Sequence, residues 1–189
     1  MTALYSGLAL FGLPHLFSSL CPGIRARLMA RFGEGSYKGV YSLVSTLGII
    51  LICYAYWVSR GSGEMLYAPD GAMRHATMGL ATLGMILISS FHGKSHIKLW
   101  LQNPFSIGIA LWSVGHLLSV GQSAAVLIWV TFLVIALLDI AVSMARGKKP
   151  EFQPRWRSDI IAVVVGLVLT ALLVGLFHPY VLGVYPLAM

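Results

Sequence analysis

Charged side chains are scarce in this chain of 189 residues, of which only 10% are Asp, Glu, Lys or Arg. A soluble domain has about 25% of such residues. Together with a hydrophobic fraction of 58%, this scarcity excludes a water-soluble globule. Acidic residues are the rarest charged type, and the formal net charge is +7. An excess of cations is typical of nucleic-acid binding, of anionic-lipid binding, or of the cytoplasmic loops of a membrane protein.

Cysteine is also scarce, with only Cys21 and Cys53 in the chain. A disulfide framework or a structural zinc site needs several ligands at set spacings, so both are excluded. The sequence has no Cys-x-x-Cys-His motif either, which excludes covalent attachment of haem.

Six apolar segments are long enough to cross the hydrocarbon core, which takes roughly 20 helical residues. They cover residues 2–20, 39–58, 72–91, 104–120, 123–144 and 160–177. Long apolar runs favour the membrane interpretation of the charge over nucleic-acid binding, so the lipid bilayer is the expected partner. We therefore predict an all-α, polytopic membrane helix bundle of about six transmembrane helices, with residues 1–189 as a single integral membrane domain.

The positions of Lys and Arg predict the orientation, because cations close to span ends are retained in the cytoplasm. Eleven of the 13 lie in the first, third and fifth loops, and Lys148 is one of those in the fifth. Odd-numbered loops are therefore predicted to face the cytoplasm, with both termini on the outer side. Asp139 lies inside the fifth span, where it is expected to pair with the basic inner surface or to relay protons.

Two histidines lie inside predicted spans, His15 directly after Pro14 in the first and His116 in the fourth. An imidazole in hydrocarbon needs a hydrogen-bond partner or a metal. One interpretation is a structural hydrogen bond to a neighbouring helix. The other is metal ligation, since neutral imidazoles from two helices are the usual ligands of a six-coordinate haem. The pattern permits both.

Helical spacing places Gly108, Trp112 and either Gly115 or His116 on one stripe of the fourth span. Two glycines beside an imidazole predict a groove for a flat molecule, with Trp112 as its wall. The alternative is close helix packing through small residues. In the first loop, Arg25 and its basic neighbours either set the topology or bind anionic headgroups or haem propionates.

Three stretches of the chain resemble motifs of the NnrU family of bacterial membrane proteins. Residues 15–45 resemble its opening motif, residues 103–121 its second motif and residues 176–183 its C-terminal end. The resemblance is carried by His15, Pro22, Arg25, Leu28, Gly33, Glu34, Tyr37, Tyr41, Ser42, Asn103, Pro104, Trp112, His116, Leu117, Leu118, Gly121, Leu176, Phe177, His178, Pro179 and Gly183.

This resemblance implies a multi-pass protein of the bacterial inner (cytoplasmic) membrane that is linked to denitrification. Family members are associated with the expression or function of nitrite and nitric oxide reductases, which implies nitric oxide or a membrane protein as a partner. The family is also similar to the 15-cis-zeta-carotene isomerases, which use haem b to isomerise a carbon–carbon double bond. In those enzymes, the histidines that match His15 and His116 are the proposed axial ligands of the iron.

Two positions depart from that pattern. A cysteine implicated in ligand exchange in the isomerases is Ser113 here, so this exchange does not carry over. The His-Pro that usually opens the second motif is Asn103-Pro104 here, and Asn caps a helix but does not replace the imidazole ligand.

Three functions follow from these observations. The first is a haem b-binding protein of the NnrU type, with His15 and His116 as iron ligands. The second is a haem-dependent cis-trans isomerase of a hydrophobic, carotenoid-like polyene. The third is a cofactor-free membrane assembly protein with structural histidines. The predicted spans place His15 and His116 about 10 Å apart in depth, so His92 and His178 are reserve ligands.

Overall fold

The computed structural model describes residues 1–60, 63–147 and 149–186, so Lys148 lies outside the described residues. In these ranges the chain is helical, with one isolated antiparallel bridge between Met65 and Gln122 and no named strand. The chain divides into two compact units, Met1–Gly63 and Glu64–Met189. The all-α prediction is confirmed for the described residues.

The first unit contains α1 (Thr2–Leu20), α2 (Pro22–Phe32) and α3 (Glu34–Ser59). Helices α1 and α3 pack backbone to backbone through glycine. A Cβ atom on Gly48 would lie 2.6 Å from the backbone nitrogen of Phe11, and one on Gly7 would lie 2.9 Å from that of Ile52. Such close approach is how small residues join helices where hydrophobic driving force is weak.

Helix α2 was not predicted, because its sequence is too basic for a membrane-spanning helix and only such spans were predicted. Pro22 occupies the first turn, where a missing N–H costs nothing. The helix buries none of its residues and carries Arg25, Arg27 and Arg31. Gly33 then turns the chain into α3 with a φ of 84°, a left-handed value that favours glycine.

The second unit begins with α4 (Met73–Ser89), a 3₁₀ turn (Ser90–His92) and the short α5 (His96–Leu101). It continues with α6 (Pro104–Ser119), α7 (Ser123–Ala145) and α8 (Trp156–Leu172), which runs on as a π-helix (Leu173–Leu182). Helix α6 packs against α4 and α7, and α8 packs against α4. Helices α4 and α6 therefore form the middle of the unit, with α8 against α4 and α7 against α6.

Every predicted span coincides with a helix, but the helices differ in length. Within the described residues, four are long and apolar enough to cross a membrane: Thr2–Leu20, Glu34–Ser59, Ser123–Ala145 and Trp156–Leu182. The apolar helix Pro104–Ser119 is shorter, because Val120 adopts an extended conformation. Helices that could span a membrane are therefore confirmed, whereas the count of six and the orientation of the termini stay predictions.

Asp139 of α7 anchors the first turn of α6. Its carboxylate accepts hydrogen bonds from Asn103 Nδ2 at 2.9 Å and from Ser106 Oγ at 2.6 Å. Asn103 also caps α6, since its Oδ1 accepts from the backbone nitrogen of Ser106 at 3.3 Å. The predicted cap of the fourth span is thus confirmed, and it is tied to the acid of the fifth.

Candidate histidine site

His116 lies in the last turn of α6, and its orientation is fixed by its own helix. The imidazole Nδ1 is 2.8 Å from the carbonyl oxygen of Trp112, one turn earlier. Because a carbonyl oxygen only accepts hydrogen bonds, Nδ1 carries the hydrogen, and in the neutral ring Nε2 carries the lone pair. The helix therefore presents His116 as a lone-pair donor through Nε2.

Two tryptophans hold the His116 ring from different sides. Trp129 of α7 stacks on it, with ring centroids 3.8 Å apart and an interplanar angle of 20°. Trp112 stands edge-on to His116 at 5.5 Å and edge-on to Trp129 at 4.8 Å. Trp112 thus stands beside the imidazole, and its role as the wall of a cofactor groove stays a prediction, whereas Trp129 was not predicted at all.

A second imidazole approaches His116 from the π-helix. The ring centroids of His116 and His178 are 6.2 Å apart, and their planes differ by 15°. His178 Nδ1 is 2.7 Å from the carbonyl oxygen of Leu173, five residues earlier, which is the residue step of a π-turn. The Nε2 of His178 is therefore also the lone-pair nitrogen of the neutral ring.

Both imidazoles line a small cavity of about 60 Å³. Two threonines also line it, but their hydroxyl groups donate to backbone carbonyls, Thr77 to Gly115 at 2.7 Å and Thr170 to Gly166 at 2.9 Å. The other lining residues are Met78, Ala81, Met85, Trp112, Leu173, Val174 and Pro186. The described lining is uncharged, and the imidazoles are its strongest lone-pair donors.

His15, in the first unit, is tethered in the same way as His116. Its Nδ1 is 2.6 Å from the carbonyl oxygen of Phe11, one turn earlier in α1. The rings of Phe11 and Tyr41 flank it, with centroids 4.2 Å and 5.2 Å from its own. His15 therefore also has the tautomer in which Nε2 carries the lone pair.

An apolar groove of about 640 Å³ lies within the first unit. It is lined by Ala9, Leu10, Leu13, Pro14, Phe17, Leu28, Phe32, Ser36, Tyr37, Val40, Tyr41 and Val44. Its volume falls within the range of pockets that bind small molecules and cofactors, about 300–1,000 Å³. On α2, the buried Nε of Arg25 has no hydrogen-bond partner among the described residues.

The glycines of α6 contact α4. A Cβ atom on Gly108 would lie 2.6 Å from the carbonyl oxygen of Gly84, and one on Gly115 would lie 3.2 Å from Leu80 Cβ. These contacts support the alternative of small-residue helix packing for both glycines. Ser113 is fully buried, and its hydroxyl donates to the carbonyl of Ile109 at 2.8 Å.

His96 belongs to a different part of the second unit. Its Nδ1 is 2.7 Å from Asp159 Oδ2, and Asp159 also accepts from the backbone nitrogens of His96 and Ile97, both at 3.2 Å. Asp159 lies in the first turn of α8, and its carboxylate caps the start of α5. His92, a reserve ligand, is exposed and stands edge-on to Phe91.

Among the described residues, no group of three or more His, Cys, Asp or Glu side chains forms a metal cluster. Residues 3–186 match the family model described as "NnrU protein". No curated protein and no solved structure matches the chain. Since the family model covers nearly the whole chain, the resemblance noted from the motif residues is confirmed, and the chain belongs to the NnrU family.

Proposed function

We propose that this chain is a haem b-binding protein of the bacterial inner membrane that acts in denitrification, on nitric oxide or a related nitrogen oxide. Its iron is bound by His116 and His15, its helices cross the bilayer six times, and both termini lie on the outer side. The link to nitrogen oxides and the pairing of these two histidines come from the family resemblance. The remaining support comes from the geometry of the residues.

The observation that carries the proposal is the shared tether of the two imidazoles. His116 and His15 each donate Nδ1–H to the carbonyl four residues earlier in the helix. Metal-ligating histidines nearly always donate their second ring N–H in this way, because the bond fixes the tautomer and raises ligand basicity. The donor chemistry of both side chains therefore fits haem iron.

Arg25 fits the anionic edge of the same cofactor. A buried guanidinium nitrogen without an acceptor is costly, and the Nε of Arg25 is such an atom. A carboxylate, such as a haem propionate, supplies the missing acceptor in a charge-assisted hydrogen bond. Leu28, one turn further along α2, lines the apolar groove of the first unit.

When bound, haem supplies an iron atom that changes oxidation state and binds diatomic gases. The protein orients the iron ligands and keeps bulk water away from them. Trp129 and Trp112 fix the ring of His116 and cover it with apolar surface. The cavity of about 60 Å³ beside it has room for a few water-sized molecules.

The test is the haem content of the detergent-purified full chain, measured by pyridine haemochrome in wild type, His116→Ala and the control His75→Ala. His75 is an exposed histidine of the same unit. We expect about one haem b per chain in wild type and His75→Ala, and loss of haem in His116→Ala. Wild-type protein that stays colourless after reconstitution with haemin contradicts the proposal and favours the assembly protein.

A second candidate function is the isomerisation of a long polyene, favoured by the apolar groove of the first unit. Its lining consists almost entirely of aliphatic and aromatic side chains, which suits a hydrocarbon substrate. Co-expression with a producer of cis-carotenes, followed by chromatography, tests it. Unchanged isomer ratios count against this activity.

A further inference from the structure

We propose that His178 is a ligand for the same transition-metal centre as His116. The inference rests on the proposed function for the identity of the metal as haem iron. His178 would be a third imidazole at this metal site. It would compete with His15 for one coordination position of the iron. His116 and His178 both lie in the second unit.

The distance between the imidazoles of His116 and His178 suits two ligands of one metal ion. A metal–nitrogen bond of about 2.0–2.1 Å, added to the radius of the ring, places each imidazole centroid about 3.2 Å from the metal. Two imidazoles on one ion are therefore separated by up to about 6.4 Å between centroids. The separation of 6.2 Å between His116 and His178 lies within this limit. It is too long for direct stacking, such as the 3.8 Å between His116 and Trp129.

The two rings also have the same tautomer. Both have Nδ1 bound to a backbone carbonyl, so both have the lone pair on Nε2. No described residue makes a hydrogen bond to either Nε2. The described residues around the cavity carry no charge that would compete for the metal or protonate the pair.

The backbone that carries His178 departs from a regular α-helix. In an α-helix, the side chain would reach the carbonyl four residues back, but here it reaches the carbonyl of Leu173, five residues back. The π-helix from Leu173 to Leu182 produces this step, and π-turns are frequent at functional sites. Pro179 directly follows His178 and donates no backbone hydrogen bond. The segment thus lacks regular α-helical hydrogen bonding, and its irregular backbone positions the imidazole of His178.

The bare-metal arm of the test titrates cobalt(II) into haem-free full-length protein in detergent. If His116 and His178 bind one metal ion, wild type should show a visible cobalt absorption. Cobalt binding should be at least about tenfold weaker in His116→Ala and in His178→Ala. Binding in His75→Ala should match wild type. Equal affinity in wild type and His178→Ala overturns the inference, whether or not the protein binds haem.

The haem arm compares His15→Ala with His15→Ala/His178→Ala. We expect His15→Ala to keep a low-spin, six-coordinate iron through His178, and the double variant to turn high-spin. Added imidazole should restore the low-spin spectrum of the double variant by filling the space of the deleted ring. Identical high-spin spectra in the single and double variants contradict the role of His178 and leave the proposed function intact.

Loss of the fold is a separate outcome that the variants must exclude. His178→Gln keeps a polar side chain of similar volume and should preserve the elution volume and helical content of wild type. If His178→Gln elutes as wild type and binds cobalt equally well, His178 is not a ligand. Wild-type protein without haem would contradict only the proposed function. The cobalt titration would still test whether His116 and His178 bind one metal ion.

Discussion

The indole of Trp129 lies flat against the imidazole of His116, with centroids 3.8 Å apart and planes within 20°. These residues belong to adjacent helices, α7 and α6, so the stack couples the proposed ligand to the packing of the unit. An aromatic pair of this kind contributes about 0.5–1.5 kcal/mol beyond the area it buries.

Replacing Trp129 should therefore disturb the metal site more than the fold. Trp129→Phe keeps a flat ring and is expected to keep the wild-type haem spectrum. Trp129→Ala frees the imidazole to rotate, and we expect at least about tenfold lower haem affinity, as for loss of a partner that orients a ligand. Haem titration of both variants measures the effect. Equal affinities would show that the stack has no orienting role.

Gly108→Ala distinguishes helix packing from a cofactor groove. The added Cβ would lie 2.6 Å from the carbonyl of Gly84, so α4 and α6 must separate. Overpacking of this kind costs about 1–3 kcal/mol. Gly79→Ala in α4 is the matched control, since its Cβ meets no atom within 4 Å.

The measurement for the glycines is thermal unfolding in detergent. Gly108→Ala should unfold at lower temperature than wild type, whereas Gly79→Ala should unfold at the same or a higher temperature. If Gly108→Ala instead keeps its stability and loses only haem, the glycine lines a cofactor groove.

Removing the carboxylate of Asp139 should destabilise the junction of α6 and α7. Asp139→Ala leaves Asn103 Nδ2 and Ser106 Oγ without this acceptor. Each unsatisfied polar group costs about 1–3 kcal/mol. Asp139→Asn keeps one carbonyl oxygen and should lose less stability. Hydrogen exchange at the start of α6 checks this order, and equal protection in the two variants would contradict it.

Tyr67 should make stability depend on alkaline pH. Its hydroxyl donates to the carbonyl oxygens of Leu117 and Val120, at the end of α6. Burial raises the pKa of this hydroxyl above its ordinary value of 10.0. Because the folded pKa is the higher one, the contribution is complete below pH 10.0 and is lost as pH rises through the folded pKa.

The comparison of wild type with Tyr67→Phe isolates this effect from other groups that titrate at high pH. The difference in unfolding temperature between the two proteins should be constant at neutral pH and should shrink above about pH 10. A difference that stays constant to higher pH would show that the hydroxyl bond does not contribute.

The parts of the fold that depend on local chemistry could be predicted from the sequence. Asn103 and Pro104 are typical of the N-terminus of a helix, and α6 begins at Pro104 with Asn103 as its cap. The termini of the shorter helices could not, because apolar residues continue past Ser89 and Ser119 into a 3₁₀ turn and an extended residue. The predicted ends of these two segments therefore differ from the helix ends by one or two residues.

The site was predictable only in part. His15, His116 and Trp112 stand out as polar or aromatic residues in apolar helices with clear spacing. Trp129 does not stand out, because α7 is almost uniformly apolar and has no polar face against which a functional face could be recognised. The approach of His178 to His116 depends on a π-helix. Hydrophobic patterns with the 3.6-residue period of an α-helix do not predict its five-residue hydrogen-bond step.

The most direct test of the account is electron paramagnetic resonance of the ferric, detergent-purified full chain. We expect a low-spin signal of iron with two imidazole ligands, which disappears in His116→Ala and persists in His75→Ala. A signal unchanged by His116→Ala, or wild-type protein without any haem signal after reconstitution, would contradict it.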